Sequence, residues 1–247
     1  MLANLSVEQS LMKASSYAKK GEVAEAKKLY QTILQTFSKN KRAQQGLANL
    51  NKLKQSNALQ SLSQEAVNQL VNLYNQGQFS AVVEQAQALI KQYPDAFIIW
   101  NIMGVSKFQI GMLDEAIEAY NKSITLKPNY AEAYSNMGLA LQHQGRLDKA
   151  IEAYNTSISL KPNDADTYYN IGNALKDQSK FDEAIEVYNK ALSLNPNYAK
   201  AYSNMGNIFK DQGKLDEAIG VYNKALLLKP DYAEAYNNMG VALKKQG

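Results

Sequence analysis

The sequence predicts an all-α fold, a solenoid of antiparallel helix pairs, from three observations. Pro94, Pro128, Pro162, Pro196 and Pro230 fall 34 residues apart. Gly104, Gly138, Gly172, Gly206 and Gly240 keep the same step. The apolar residues between them recur at helical rather than strand spacing. A fixed period of this length marks stacked helical repeats and favours an extended recognition surface over a catalytic pocket.

Each unit is counted from Phe97, Ala131, Ala165, Ala199 and Ala233. The fourth place holds Trp100, Tyr134, Tyr168, Tyr202 and Tyr236, on the same helical face as the glycine at the eighth. The fifteenth place is Gly111, Gly145, Ser179, Gly213 and Gly247, where a helix stops because glycine tolerates the left-handed conformation. A second helix follows, with an apolar stripe of Leu147, Ala150, Tyr154 and Ile158 in one unit and its equivalents in the others. The small glycine and alanine suit close approach of the two helices, and the aromatic rings fill the space around them. Proline ends the second helix. Asn129 with Glu132, and Asp231 with Glu234, have capping-box spacing at the start of the next helix.

Toward the N-terminus the pattern weakens. Residues 63–96 keep Gly77, Phe79 and Pro94, with Leu70 in place of the first-helix glycine. Residues 7–40 fit loosely through Gly21, Val23, Ala26, Tyr30 and Leu34. One helix is expected from about 42 to 54, followed by a Gln/Ser/Asn-rich stretch. The expected organisation is therefore a three-helix module at 1–55, a joint at 56–62 and a degenerate hairpin at 63–96. Full hairpins follow at 97–130, 131–164, 165–198 and 199–232, then a lone first helix at 233–247. A continuous long helix through 56–62 is the alternative to the joint.

The unit beginning at Ala131, with Tyr134, Met137, Gly138, Leu141, Ala150, Tyr154, Ser157 and Pro162, resembles the tetratricopeptide repeat. Ser157 departs from the usual alanine. The resemblance covers 97–247 in four full units plus one first helix. It implies a right-handed superhelix whose first helices line a concave groove, in a protein-interaction scaffold without catalysis or cofactor.

Composition sets further bounds. The 247-residue chain has 45% apolar residues, enough for a core that runs as a strip between neighbouring repeats. It has no cysteine, so neither disulfides nor thiolate metal sites are expected. With no signal-peptide layout or membrane-span run, a cytoplasmic location is expected. The net charge of +4 is uneven: residues 1–62 carry ten Lys/Arg against three Asp/Glu, and 97–247 carry sixteen against seventeen. Lys27, Lys28, Lys39, Lys41 and Arg42 form the basic cluster, but no aromatic residues interleave it as a nucleic-acid platform requires, so no nucleic-acid partner is expected.

Catalytic patterns do not hold up. Asp164-Ala-Asp166 spells a metal-binding acidic triplet, yet it sits at a helix start, where acids suit the dipole. Ser10 to Lys13 and Ser16 to Lys19 lack the companion motifs of penicillin-binding enzymes. His143 has no second histidine or cysteine with which to share a metal. Asn4, Asn121 and Asn155 begin glycosylation-like triplets that carry little weight without a signal peptide.

The inner face is the candidate site. Its sixth place is Asn136, Asn170, Asn204 and Asn238, with Asn101 one place earlier in the preceding unit. Amides both donate and accept, so a spaced row suits the backbone of an extended peptide. The row is similar to the asparagine ladder of O-linked N-acetylglucosamine transferases, which implies peptide capture. Net hydrogen bonds of roughly 0.5 to 1.5 kcal/mol each leave such a row short of the ~8 kcal/mol that micromolar binding needs. Gln142, His143, Tyr169, Asn173, Lys176, Asn207 and Lys210 are expected to add the rest. The chaperone-type carboxylate clamp is disfavoured, because Tyr169, Glu234 and Asn238 stand where its cations belong. Two further readings remain. One is a substrate-recruiting arm of a larger glycosyltransferase or sulfotransferase with its chemistry beyond Gly247. The other is self-association through the final helix, whose Val241 and Leu243 lack cover.

Overall fold

The computed structural model describes residues 6–20 and 22–247, and of 51–64 the backbone only. Gly21 and Asn4, singled out above, lie outside the described residues. All regular structure among the described residues is α-helical. The chain divides into two compact units, 1–69 and 70–247.

The first unit contains α1 (Val7–Lys19), α2 (Val23–Thr36) and the beginning of α3 (Lys41–Asn75). Ser6 opens α1 with a capping box: its hydroxyl accepts from the Gln9 backbone N–H, and the Gln9 side chain accepts from the Ser6 N–H. Leu11, Ala14, Ala26, Leu29, Tyr30, Ile33, Ala43 and Leu50 form the core. Of the basic cluster, Arg42 is paired with Glu8 at 2.6 Å on the surface. Residues 56–62, where a joint is expected, are helical backbone inside α3. The physical reason is that neither glycine nor proline occurs between Gly46 and Gly77, so nothing interrupts the hydrogen-bond ladder.

The second unit takes up the end of α3 and then repeats. Its helices are α4 (Phe79–Gln92), α5 (Phe97–Gln109), α6 (Leu113–Leu126), α7 (Ala131–His143) and α8 (Leu147–Leu160). They continue with α9 (Ala165–Asp177), α10 (Phe181–Leu194), α11 (Ala199–Asp211), α12 (Leu215–Leu228) and α13 (Ala233–Gln246). From α5 to α11, odd helices are the first helices of their hairpins and pack on their own second helix, on the second helix before them, and on the next odd helix, while α13 packs on α12 and α11.

Tyr120, Tyr154, Tyr188 and Tyr222 are the largest fully buried side chains. Each ring lies against the glycine of its own hairpin, so that a Cβ at Gly172 would stand 2.5 Å from the Tyr188 ring. At the turn, Ser179 takes φ 62°, the left-handed value its sister glycines adopt. Ser157, the departure from alanine, donates its hydroxyl to the Ala131 carbonyl at 2.9 Å, and Ser123 does the same to Phe97. These serines tie second helix to first.

Neighbouring hairpins are also joined by a row of amide–carboxylate bonds. Gln144, Gln178, Gln212 and Gln246 donate to Asp114, Asp148, Asp182 and Asp216 at 2.7, 2.7, 3.4 and 2.5 Å. The expected capping boxes do not form. The caps of α7 and α13 are Tyr130 and Tyr232, without side-chain cap bonds. Each helix starts one residue later than the motif requires, with a tyrosine at the cap whose ring is used for packing, as Tyr130 on Phe97 at 5.0 Å. Asp164 likewise caps no N–H; its carboxylate accepts from the Thr167 hydroxyl at 2.7 Å.

Candidate functional site

Successive odd helices set their sixth, ninth and twelfth places side by side, because these places lie three apart on one helical face. The resulting inner face changes character along its length. At its start Val71, Tyr74, Ile102 and Val105 line an apolar cavity of about 160 Å³. Beyond it the same places carry mostly amides and lysines, interrupted by Phe108, Leu139 and Val241.

Asn101 does not face a ligand. It is buried, and its Oδ1 accepts from the Asn136 side chain at 3.2 Å. The sixth place of that hairpin is Ile102, which belongs to the apolar cavity. Asn136, Asn170, Asn204 and Asn238 are half-buried, as are Gln142, Tyr169, Asn173, Lys176, Asn207 and Lys210, while His143 is exposed. The His143 ring meets Phe108 edge-on at 4.9 Å.

The amides are bound to the buried tyrosines. Tyr188 donates its hydroxyl to Asn173 Oδ1 and Tyr222 to Asn207 Oδ1, both at 2.7 Å, and Tyr154 donates to Gln142 Oε1 at 3.1 Å. Burial pushes these three phenols well above the ordinary tyrosine value, so the hydroxyls remain donors. Asn204 Nδ2 then donates to Asn173 Oδ1 at 2.7 Å and to the Tyr169 hydroxyl at 3.2 Å. Tyr169 is held between rings, 4.8 Å from Tyr198 and 5.9 Å from Tyr188. The Tyr198 hydroxyl donates to Asp166 at 2.7 Å.

The sequence-predicted residues therefore fall into two groups. Asn101, Asn136 and Asn204 are engaged with protein partners. Asn238 receives Lys210 at 3.4 Å, and Gln142 donates to Asp177 at 2.8 Å. Among the described residues, Asn170 and Lys176 have no protein partner, and Asn173 and Asn207 have none for their Nδ2 groups. The apolar cavity is the part that sequence reasoning missed. Its signal is the run of Val71, Tyr74, Ile102 and Val105 at the groove places of the first two units.

No cluster of three or more potential metal ligands occurs among the described residues. None of their helices is long and apolar enough to cross a membrane.

Comparison with known proteins agrees with this architecture. The family model of the cilia and flagella-associated protein 70 C-terminal domain, a tetratricopeptide-repeat domain, matches residues 2–243. The crystal structure of MamA superposes with a TM-score of 0.60 at 29% identity, covering 66% of this chain and 95% of that one. YrrB, described as a tetratricopeptide-repeat protein with an unusual peptide-binding site, gives a TM-score of 0.58 at 17% identity over 70% of this chain and 89% of its own. The thermophilic protein TTC0263 of Thermus thermophilus gives 0.60 at 21% identity, over 73% and 98%. At these identities the last two share the fold. Among curated proteins none matches the chain significantly.

Proposed function

Since the chain belongs to the tetratricopeptide-repeat family of the cilia and flagella-associated protein 70 C-terminal domain, we propose that it is a protein-interaction scaffold that captures an extended peptide segment along its inner face. The observation that carries this reading is the set of half-buried polar groups on α9 and α11 that have no protein partner among the described residues: Asn170, Lys176, and the Nδ2 groups of Asn173 and Asn207. Unpaired amides at regular spacing match the repeating donors and acceptors of an extended backbone. The cavity between Val71, Tyr74, Ile102 and Val105 receives one apolar side chain, and Lys176 pairs with an acidic residue further along the segment. YrrB, with the same fold, has a peptide-binding site of its own.

The test is a random-peptide phage selection on the full chain, followed by fluorescence anisotropy with the selected peptides. Asn170→Ala combined with Lys176→Ala removes one neutral and one charge-assisted bond. It weakens binding at least about tenfold, since such bonds contribute roughly 0.5 to 3 kcal/mol each. The melting temperature stays within a degree or two, because neither side chain has a protein partner. Selected peptides that bind this variant as tightly as the parent overturn the reading.

A further inference from the structure

The four full hairpins keep a common pattern at their key places, so departures from it are informative, and several fall around a single outer cavity. Between α6, α7 and α8 lies a cavity of about 280 Å³, floored by Ile117, Met137, Leu141 and Tyr134. A void of about 150 Å³ already admits benzene, so this one has room for a large side chain.

Its opening has a local cause. At the twenty-sixth place the other hairpins carry Lys122, Lys190 and Lys224, and Lys224 lies over the Tyr202 ring at 5.7 Å. Here the residue is Thr156, too short to cover Tyr134 in that way. At the twenty-third place Ala153 stands where the two following hairpins have Val187 and Val221.

The rim gains a cation at the same point, so that Lys149 and Arg146 outnumber Glu152, the one acid in the lining. The nineteenth place is Glu115, Glu183 and Glu217 elsewhere, but Lys149 at this cavity. Lys149 sits in the first turn of α8, where an acid suits the helix dipole and a cation opposes it. Among the described residues it has no carboxylate partner. Arg146, also on the rim, donates to Gln144 at 3.0 Å but pairs with no acid. A position that departs from its sisters, opposes local helix electrostatics and borders an open apolar cavity is the pattern of a binding site.

We propose that this cavity is a second protein-docking site, separate from the inner face. It takes a segment of a partner protein that presents a phenylalanine or leucine flanked by carboxylates. The apolar side chain fills the space over Tyr134 and Met137, and a flanking carboxylate pairs with Lys149 and Arg146.

The test is a titration of the ¹⁵N-labelled full chain with a capped Gly-Asp-Phe-Asp-Gly peptide, followed by amide chemical shifts. The expected result is saturable shifts around Tyr134, Met137 and Ala153 with half-saturation at or below about 1 mM. Lys149→Glu should weaken binding at least about tenfold, the usual effect of removing a charge-assisted bond. Ala153→Val with Thr156→Lys should abolish it by filling the space. All three substitutions install residues that sister hairpins carry, and Lys149→Glu, at the surface, leaves the packing untouched. The proposal fails if no saturable shifts occur at this site, or if the peptide with Lys in place of Asp binds equally. It also fails if Asn170→Ala with Lys176→Ala removes the shifts, which would place the peptide on the inner face.

Discussion

The first helix of hairpin 165–198 and the final helix α13 carry the same key letters, Tyr at the fourth place, Asn at the sixth and Gly at the eighth, in different surroundings. A Cβ at Gly172 would stand 2.5 Å from the Tyr188 ring, whereas one at Gly240 would meet nothing within 4 Å. Tyr168 is half-buried and Tyr236 is 50% exposed. A repeat letter is therefore not an interaction. The glycine is required only where a tyrosine of a second helix presses on it, and the stability it brings belongs to the pair.

The largest effect that can test this difference is at the tyrosines. Tyr188→Ala empties a fully buried aromatic site and should cost about 3 to 5 kcal/mol. Tyr236→Ala should change stability by less than about 1 kcal/mol. Urea unfolding of both variants, followed by circular dichroism, compares them directly. Similar losses would show that Tyr236 on α13 is packed as tightly as Tyr188 is between α9 and α10.

Much of this contrast was legible in the sequence. The 34-residue period reads as an all-α helical solenoid, the fold observed, because proline, glycine and tyrosine each have one strong physical reason to recur. What was lost depended on geometry a single residue wide. Asn101 stands one place early, and that shift turns its side chain into the protein, where it accepts from Asn136. The Asn129 and Asp231 boxes fail for a similar reason, since a tyrosine occupies the cap. The Gln–Asp row between hairpins went unread although both letters repeat, because partners 30 residues apart look like ordinary surface polarity until the turns are stacked. The stretch through 56–62 shows the limit of composition: Gln is about as good a helix former as Leu, and Ser and Asn are weaker but do not break a helix.

An intermediate effect, with opposite signs, is expected at the glycines. Gly172→Ala forces a methyl against a buried ring and should destabilise by about 1 to 3 kcal/mol. Gly240→Ala meets open space in mid-helix and should stabilise by up to about 1 kcal/mol through helix propensity. Differential scanning calorimetry on the two variants gives the sign of each. A destabilising Gly240→Ala would mean that α13 has a neighbour at this point after all.

The smallest effect concerns the groove amides, and it separates support of the fold from readiness for a ligand. Asn204 Nδ2 bridges Asn173 and Tyr169 on α9, so Asn204→Ala removes two bonds between odd helices and leaves Asn173 with Tyr188 alone. A loss of about 1 to 2 kcal/mol is expected, read as faster amide hydrogen exchange in α9 and α11. Among the described residues Asn238 takes part only in the 3.4 Å contact from Lys210, and Asn238→Ala should cost less than about 0.5 kcal/mol. If both substitutions left exchange unchanged, the amide at the sixth place would have no structural part in either helix, and Asn204 would rejoin Asn170 as a group available to a peptide.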